Sequence, residues 1–132
     1  MKIEVSNGEI IDKYTILEIK LAKIKDANKL VNINNEHMVL TPVVNQIYEE
    51  SKDQSVLKTL HTNLLEVNKK LWKIEDDLRE CERANDFGET FIALARAVYY
   101  ANDDRSVVKK EINEYTGSDL VEEKSYEDYK SE

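Results

Sequence analysis

The chain has 132 residues, a length that fits one domain around one buried core. Charged residues make up 35% and hydrophobic ones 41%, against three Gly and one Pro, a balance that excludes turn-rich β-sandwiches and favours long exposed helices. The formal net charge of −8 repels phosphate, and the clusters Lys20, Lys23, Lys25, Lys29 and Lys69, Lys70, Lys73 are interleaved with or flanked by acids, so no nucleic-acid partner is expected and DNA binding ranks third among the readings.

Ser6-Asn7-Gly8-Glu9 reads as a capping box, with the Ser6 hydroxyl bonding the Glu9 N–H and the Glu9 carboxylate returning to Ser6. A first helix is expected from about Asn7 to Asp26, with Ile10, Tyr14, Leu17, Leu21 and Ile24 in one apolar stripe. Ile11, Thr15, Ile19 and Ala22 form a second, weaker stripe. A helix apolar on two sides is central to its domain or shared with another subunit.

The rhythm resumes from Asn28 through Leu30, Ile33, His37, Leu40, Val44 and Ile47, with Pro42 inside it. Proline removes a helical N–H and crowds the preceding turn, so a kink or a break with restart is expected near Thr41. Ser51-Lys52-Asp53-Gln54 is a polar turn. Leu57, Leu60, Leu64, Val67, Leu71, Ile74, Leu78 and Cys81 then keep faultless three-four spacing, the signature of a coiled-coil seam. Glu66–Lys70, Lys73–Asp77 and Glu75–Arg79 add i,i+4 ion pairs, each worth about 0.2–0.5 kcal/mol.

Asn85-Asp86-Phe87-Gly88 ends that run. A fourth helix carries Phe91, Ile92, Leu94, Ala95, Val98, Tyr99 and Ala101 around most of its circumference. Asn102-Asp103-Asp104 reads as a stop followed by a cap, and a fifth helix runs through Val108, Ile112 and Tyr115 to Gly117. Ile3-Glu4-Val5 and Leu120-Val121 are expected as extended segments packed on the bundle or on each other. The last five residues, 128–132, are expected to be loose. The fold class is all-α: one domain over 1–132, an antiparallel bundle of about five helices with short extended ends.

The single cysteine, Cys81, rules out an intrachain disulfide, and no apolar run approaches the roughly 20 residues that span a bilayer. Met1-Lys2-Ile3-Glu4-Val5 is too short and too charged to open a signal peptide. A cytoplasmic protein without a membrane partner is expected.

Three stretches carry a family likeness: Gly8-Glu9-Ile10-Ile11-Asp12-Lys13 continuing to Lys20, then Asn102-Asp103-Asp104-Arg105 with Lys110-Glu111-Ile112-Asn113, then Gly117 to Tyr126. Together they resemble a family of small proteins of unknown function from bacteria and tailed phages, over nearly the whole chain. The resemblance implies no reaction. It implies that Ser118 to Tyr126 belongs to the fold, and it sets the protein in a bacterial or phage-infected cytoplasm, which the Lys-, Asn- and Ile-rich composition fits.

A di-metal carboxylate centre needs Glu-x-x-His on its helices. Asn34 stands three before His37 and Lys58 three before His61, so the histidines read as packed or partly exposed side chains. Cys81 keeps seam register and reads as a small apolar residue. Gly8, Gly88 and Gly117 are too scattered to cradle a phosphate. Trp72 offers a ring for stacking, while Tyr14, Tyr99 and Tyr115 sit at packing positions. No catalytic residue, metal or cofactor is assigned.

The polar candidates are Glu9, Asp12, Lys13, Glu18 and Lys20 on the first helix, with Arg96, Asn102, Asp104, Arg105, Glu111 and Lys124 towards the C-terminus. As caps and salt bridges they fix helix registry; converging, they form a shallow anion pocket. The leading expectation is a non-enzymatic protein that forms homo-oligomers or docks a protein partner through its helix faces. The alternative is a small-molecule or sugar-phosphate-binding accessory protein with its site at Asp12/Lys13 and Asp104/Arg105.

Overall fold

In the computed structural model, which describes residues 1–125 and 127–129, Ser6 opens helix α1 (Asn7–Lys23) by accepting from the Glu9 N–H at 3.2 Å. Only half of the expected capping box forms. The Glu9 carboxylate turns away from Ser6 and accepts from Lys109 Nζ at 2.7 Å, an ion pair to the far end of the chain. Asp26 caps α2 (Ala27–Glu50), and Asp53 caps α3 (Gln54–Arg83) across the Ser51–Asp53 turn.

α2 runs through Pro42 as one continuous helix, so the expected break is absent. Thr41 Oγ1 donates to the His37 carbonyl at 2.7 Å and meets the Tyr14 hydroxyl at 3.1 Å, which ties this turn to α1. The carbonyl that Pro42 leaves without a donor belongs to Met38, an exposed residue within reach of water. Buried Ile33 on one side and Val44 and Ile47 on the other hold both halves.

The fourth and fifth expected helices are one, α4 (Glu89–Thr116), closed by Gly117 in the left-handed region at φ 64°. Among the described residues there are four helices, not five. Asn102-Asp103-Asp104 does not stop the chain because the inward stripe passes beneath it: Ala101, Arg105, Val108, Lys109 and Ile112 continue at helical spacing. Arg105 and Lys109 hid that continuity, being charged at inward positions. The mid-helix penalty of Asn and Asp, at most about 0.7 kcal/mol each, is small beside such packing.

α1 packs against α2, α3 and α4, and α3 packs most extensively on α4, whereas α2 barely meets α3. The doubly apolar first helix is therefore central within the chain. Its second stripe is the deeper one: Ile11 and Thr15 have no exposure, while Ala22 at its end lies outside. Ile11, Val44, Ile47, Leu57, Leu60, Leu64 and Ile112 form the continuous core. Of the α3 seam, Leu57, Leu60, Leu64, Ile74 and Cys81 are buried, and Val67, Leu71 and Leu78 half-buried. Lys73–Asp77 and Glu75–Arg79 pair as expected, but Glu66 pairs with Lys69.

The two chain ends lie together without forming strands among the described residues; Val5, Leu120 and Val121 line one surface depression with Glu9. Asn7 and Gly8, at the start of α1, donate their N–H groups to Ser118 Oγ and Asn113 Oδ1. Tyr129 packs on Tyr99 and Tyr100 and donates to Asp103. Of the segment expected to be loose, 130–132 lie outside the described residues. Among the described residues, no helix is long and apolar enough to cross a membrane.

Candidate functional site

Asp12 and Thr15, on the deeper stripe of α1, are polar residues in a buried row, with exposures of 4% and 0%. Their partner is Asn68 of α3, whose Nδ2 donates to Asp12 Oδ1 and to Thr15 Oγ1, both at 2.8 Å. A carboxylate only accepts, so this contact fixes the amide orientation. From α4, Arg105 Nε comes within 3.9 Å of Asp12 Oδ1 and Lys109 Nζ within 4.0 Å of Oδ2.

Lys109 is the most enclosed cation of this group. It binds Glu9 at 2.7 Å, Glu122 at 3.4 Å and Asp12 at 4.0 Å. Burial works against its ammonium, but these three carboxylates outweigh burial and raise its pKa above the ordinary lysine value. Glu122 is held below the usual carboxylate range, first by Lys124 at 2.5 Å and then by Lys109. The C-terminal segment is thus pinned to α4 by charge.

Beside this network, α1, α3 and α4 leave a cleft of about 490 Å³. Ile16 and Ile19 of α1, Leu71 and Trp72 of α3 and Val98 of α4 give it an apolar wall. Asn68, Glu75, Asp76, Arg79, Asn102 and Arg105 supply the polar groups. Arg79 is committed to Glu75 at 3.0 Å. Arg105 has only the long ion pair with Asp12 among the described residues, and the Asn102 and Trp72 side chains make no hydrogen bond there. Asn68 uses its nitrogen fully, but its oxygen accepts no bond. Since no fully buried side-chain oxygen or nitrogen among the described residues lacks a partner, that oxygen keeps some solvent exposure, on a residue that lines the cleft.

The candidate residues therefore divide. Asp12, Arg105, Glu9 and, through Glu122, Lys124 come together; Asn102 joins them at the cleft. Lys13 does not, because it sits exposed beside Glu36 at 3.4 Å. Asp104 and Glu111 lie on the outer face of α4, Lys20 is half-exposed on α1, and Arg96 is exposed beside Tyr99 and Tyr100. Glu18 belongs to another network: it meets His61 Nε2 at 2.9 Å, and His61 Nδ1 meets the Tyr48 hydroxyl at 2.8 Å. His37 stacks on Tyr14 with ring centres 4.6 Å apart.

Sequence reasoning missed Asn68 and Lys109 as site residues and offered Trp72 only as a ring for stacking. A signal existed for Asn68: Leu57, His61, Leu64 and Asn68 share one side of α3, so His61 and Asn68 are polar residues one heptad apart beside an apolar seam. Lys109 lies four residues beyond Arg105 and three before buried Ile112, on the inward side. Among the described residues, no three His, Cys, Asp or Glu side chains converge as metal ligands would.

A family model described as a family of unknown function, DUF6165, matches residues 1–131. No curated protein and no solved structure matches the chain.

Proposed function

We propose that this chain, which belongs to the DUF6165 family of unknown function, is a non-catalytic protein that binds a small molecule in the cleft between α1, α3 and α4. One observation carries the reading: the Asn68 oxygen, the Asn102 amide, the Arg105 guanidinium and the Trp72 indole N–H are all uncommitted around a single apolar hollow. Ligand sites join an apolar wall to a few oriented polar groups in roughly 300–1,000 Å³, and this cleft has both. Asp12 supports the arrangement from behind, holding Asn68 and facing Arg105. The lining has no nucleophile with a base beside it, which favours binding over turnover. The single cysteine and the composition support a bacterial or phage-infected cytoplasm as the setting.

The test is a fragment screen on ¹⁵N-labelled protein. Hits that shift Asn68, Trp72, Asn102 and Arg105 together, and vanish in Val98→Phe, are expected, since the larger side chain takes up cleft volume and replaces none of its polar groups. A screen whose hits avoid these residues overturns the reading.

A second reading, assembly through a helix face, rests on α2. Val31, Met38, Val39 and Val43 are exposed along it, Met38 and Val39 by more than 70%. From Leu30 to Tyr48 only Glu36 is charged, in a chain where charged residues make up 35%. On a molecule of net charge −8, this is where a second copy approaches without like-charge repulsion. Light scattering across a dilution series is expected to give a dimer that Met38→Glu dissociates; a monomer throughout ends this reading.

A further inference from the structure

Building on the proposed ligand cleft, we infer that its ligand is an unphosphorylated sugar of one or two rings. The first argument is the mixture of hydrogen-bonding groups. Arg105 and the Trp72 N–H only donate, the Asn68 oxygen and the carboxylates of Glu75 and Asp76 only accept, and Asn102 does both. A ligand that satisfies such a set presents donors and acceptors side by side, and hydroxyl groups on adjacent carbons do so at every position.

The wall gives the second argument. Among the described residues Trp72 is the only aromatic one lining the cleft, and the rest of its apolar surface is Ile16, Ile19, Leu71 and Val98. A planar base or aromatic acid is best enclosed between two flat faces, which this cleft does not offer. A sugar ring needs an apolar surface for its C–H groups and polar groups around its edge.

Charge gives the third argument and separates a plain sugar from its phosphate. The two lining guanidiniums, Arg79 and Arg105, are matched by the two lining carboxylates, Glu75 and Asp76. Arg79 already pairs with Glu75, and Arg105 has the buried Asp12 carboxylate at 3.9 Å. Lys109, the other cation facing Asp12, is surrounded by Glu9, Asp12 and Glu122. Among the described lining residues that leaves Arg105, a single guanidinium already facing a carboxylate, which suits a hydroxyl better than a dianion, and the field of a chain of net charge −8 opposes a dianion's entry.

Trp72 is the only tryptophan, so fluorescence excited on the long-wavelength edge, where the seven tyrosines do not absorb, reports on a residue of the cleft. The protein is titrated with glucose, galactose, N-acetylglucosamine and maltose, with glucose 6-phosphate, and with adenosine and benzoate, while saturation-transfer NMR records contact. A neutral sugar is expected to change the Trp72 emission saturably, glucose 6-phosphate to bind several-fold more weakly than glucose, and Asn102→Ala to weaken sugar binding about tenfold with unchanged circular dichroism. Tighter binding of the phosphate, or of adenosine or benzoate with every sugar silent, overturns the sugar assignment and leaves the cleft as a ligand site. Silence of every compound in the panel overturns the sugar assignment too, and the fragment screen then decides the cleft independently.

Discussion

Gly8 of α1 lies so close to the main chain of Lys109 in α4 that a Cβ on it would stand 2.4 Å from the Lys109 carbonyl oxygen and 2.9 Å from Asn113 Oδ1. Its N–H donates to that same Asn113 oxygen at 2.6 Å. The crossing of these helices, which brings Asp12 to Arg105 and Lys109, therefore depends on a residue without a side chain. Gly8→Ala is expected to cost about 1–3 kcal/mol by overpacking, read as a lower urea midpoint at unchanged m-value. A wild-type midpoint would show that the crossing relaxes freely.

Asp12 is the hub of the buried polar network, so its charge and its hydrogen bond separate by substitution. Asp12→Asn keeps an oxygen for the Asn68 amide but removes the charge facing Arg105 and Lys109, at an expected cost of about 1–2 kcal/mol. Asp12→Ala also leaves Asn68 without its acceptor and is expected to cost about 3 kcal/mol. Denaturation of both variants checks the order; equal losses would assign the whole effect to charge.

The alkaline limit of stability follows from Tyr48. Burial first, and the Glu18 charge second, push its hydroxyl from 10.0 up to about 12. The folded state keeps the phenol neutral, so above about pH 10 the unfolded chain releases the proton first and stability falls until about pH 12. Lys109 acts in the same direction: its raised pKa gives a contribution complete below the ordinary value of 10.5 and lost as pH rises through the folded value. Tyr48→Phe is expected to make the alkaline transition shallower, at a neutral-pH cost of about 1 kcal/mol from leaving His61 Nδ1 without its partner. Circular dichroism against pH tests this, and an unchanged transition would remove Tyr48 from the account.

Pro42 sits inside a continuous helix between turns anchored by Ile33 and Val44. Proline in a helix interior costs about 3 kcal/mol relative to Ala, and the greater freedom of the unfolded Ala chain returns up to about 1 kcal/mol. Pro42→Ala is therefore expected to stabilise by about 2 kcal/mol, seen as a higher melting temperature. A lower one would mean that α2 needs the proline's local distortion to reach α1.

The Ser6, Asp26, Asp53 and Gly117 boundaries were legible or nearly so, because capping is chemistry between neighbours a few residues apart. Half of the Ser6–Glu9 box was not, since Lys109 competes for the Glu9 carboxylate from the other end of the chain. The break expected at Asn102-Asp103-Asp104 failed for a related reason. Arg105 and Lys109 are inward-facing residues whose charge makes them read as surface until Asp12 and Glu9 are seen opposite.

By itself, then, the sequence determined that this is an all-helical chain with a first helix apolar on two sides and a seam along Leu57–Cys81, because periodicity and caps are properties of one helix at a time. Among its candidates it set Asp12 with Lys13 and Asp104 with Arg105 as one alternative site. Tertiary structure alone decided that Asp12 belongs with Asn68, Arg105 and Lys109, that Lys13 and Glu18 go elsewhere, and that Trp72 and Asn102 share a cleft. Those groupings depend on how three helices cross, and the crossing is set by packing volumes such as the missing side chain at Gly8, which no periodicity along a single helix records.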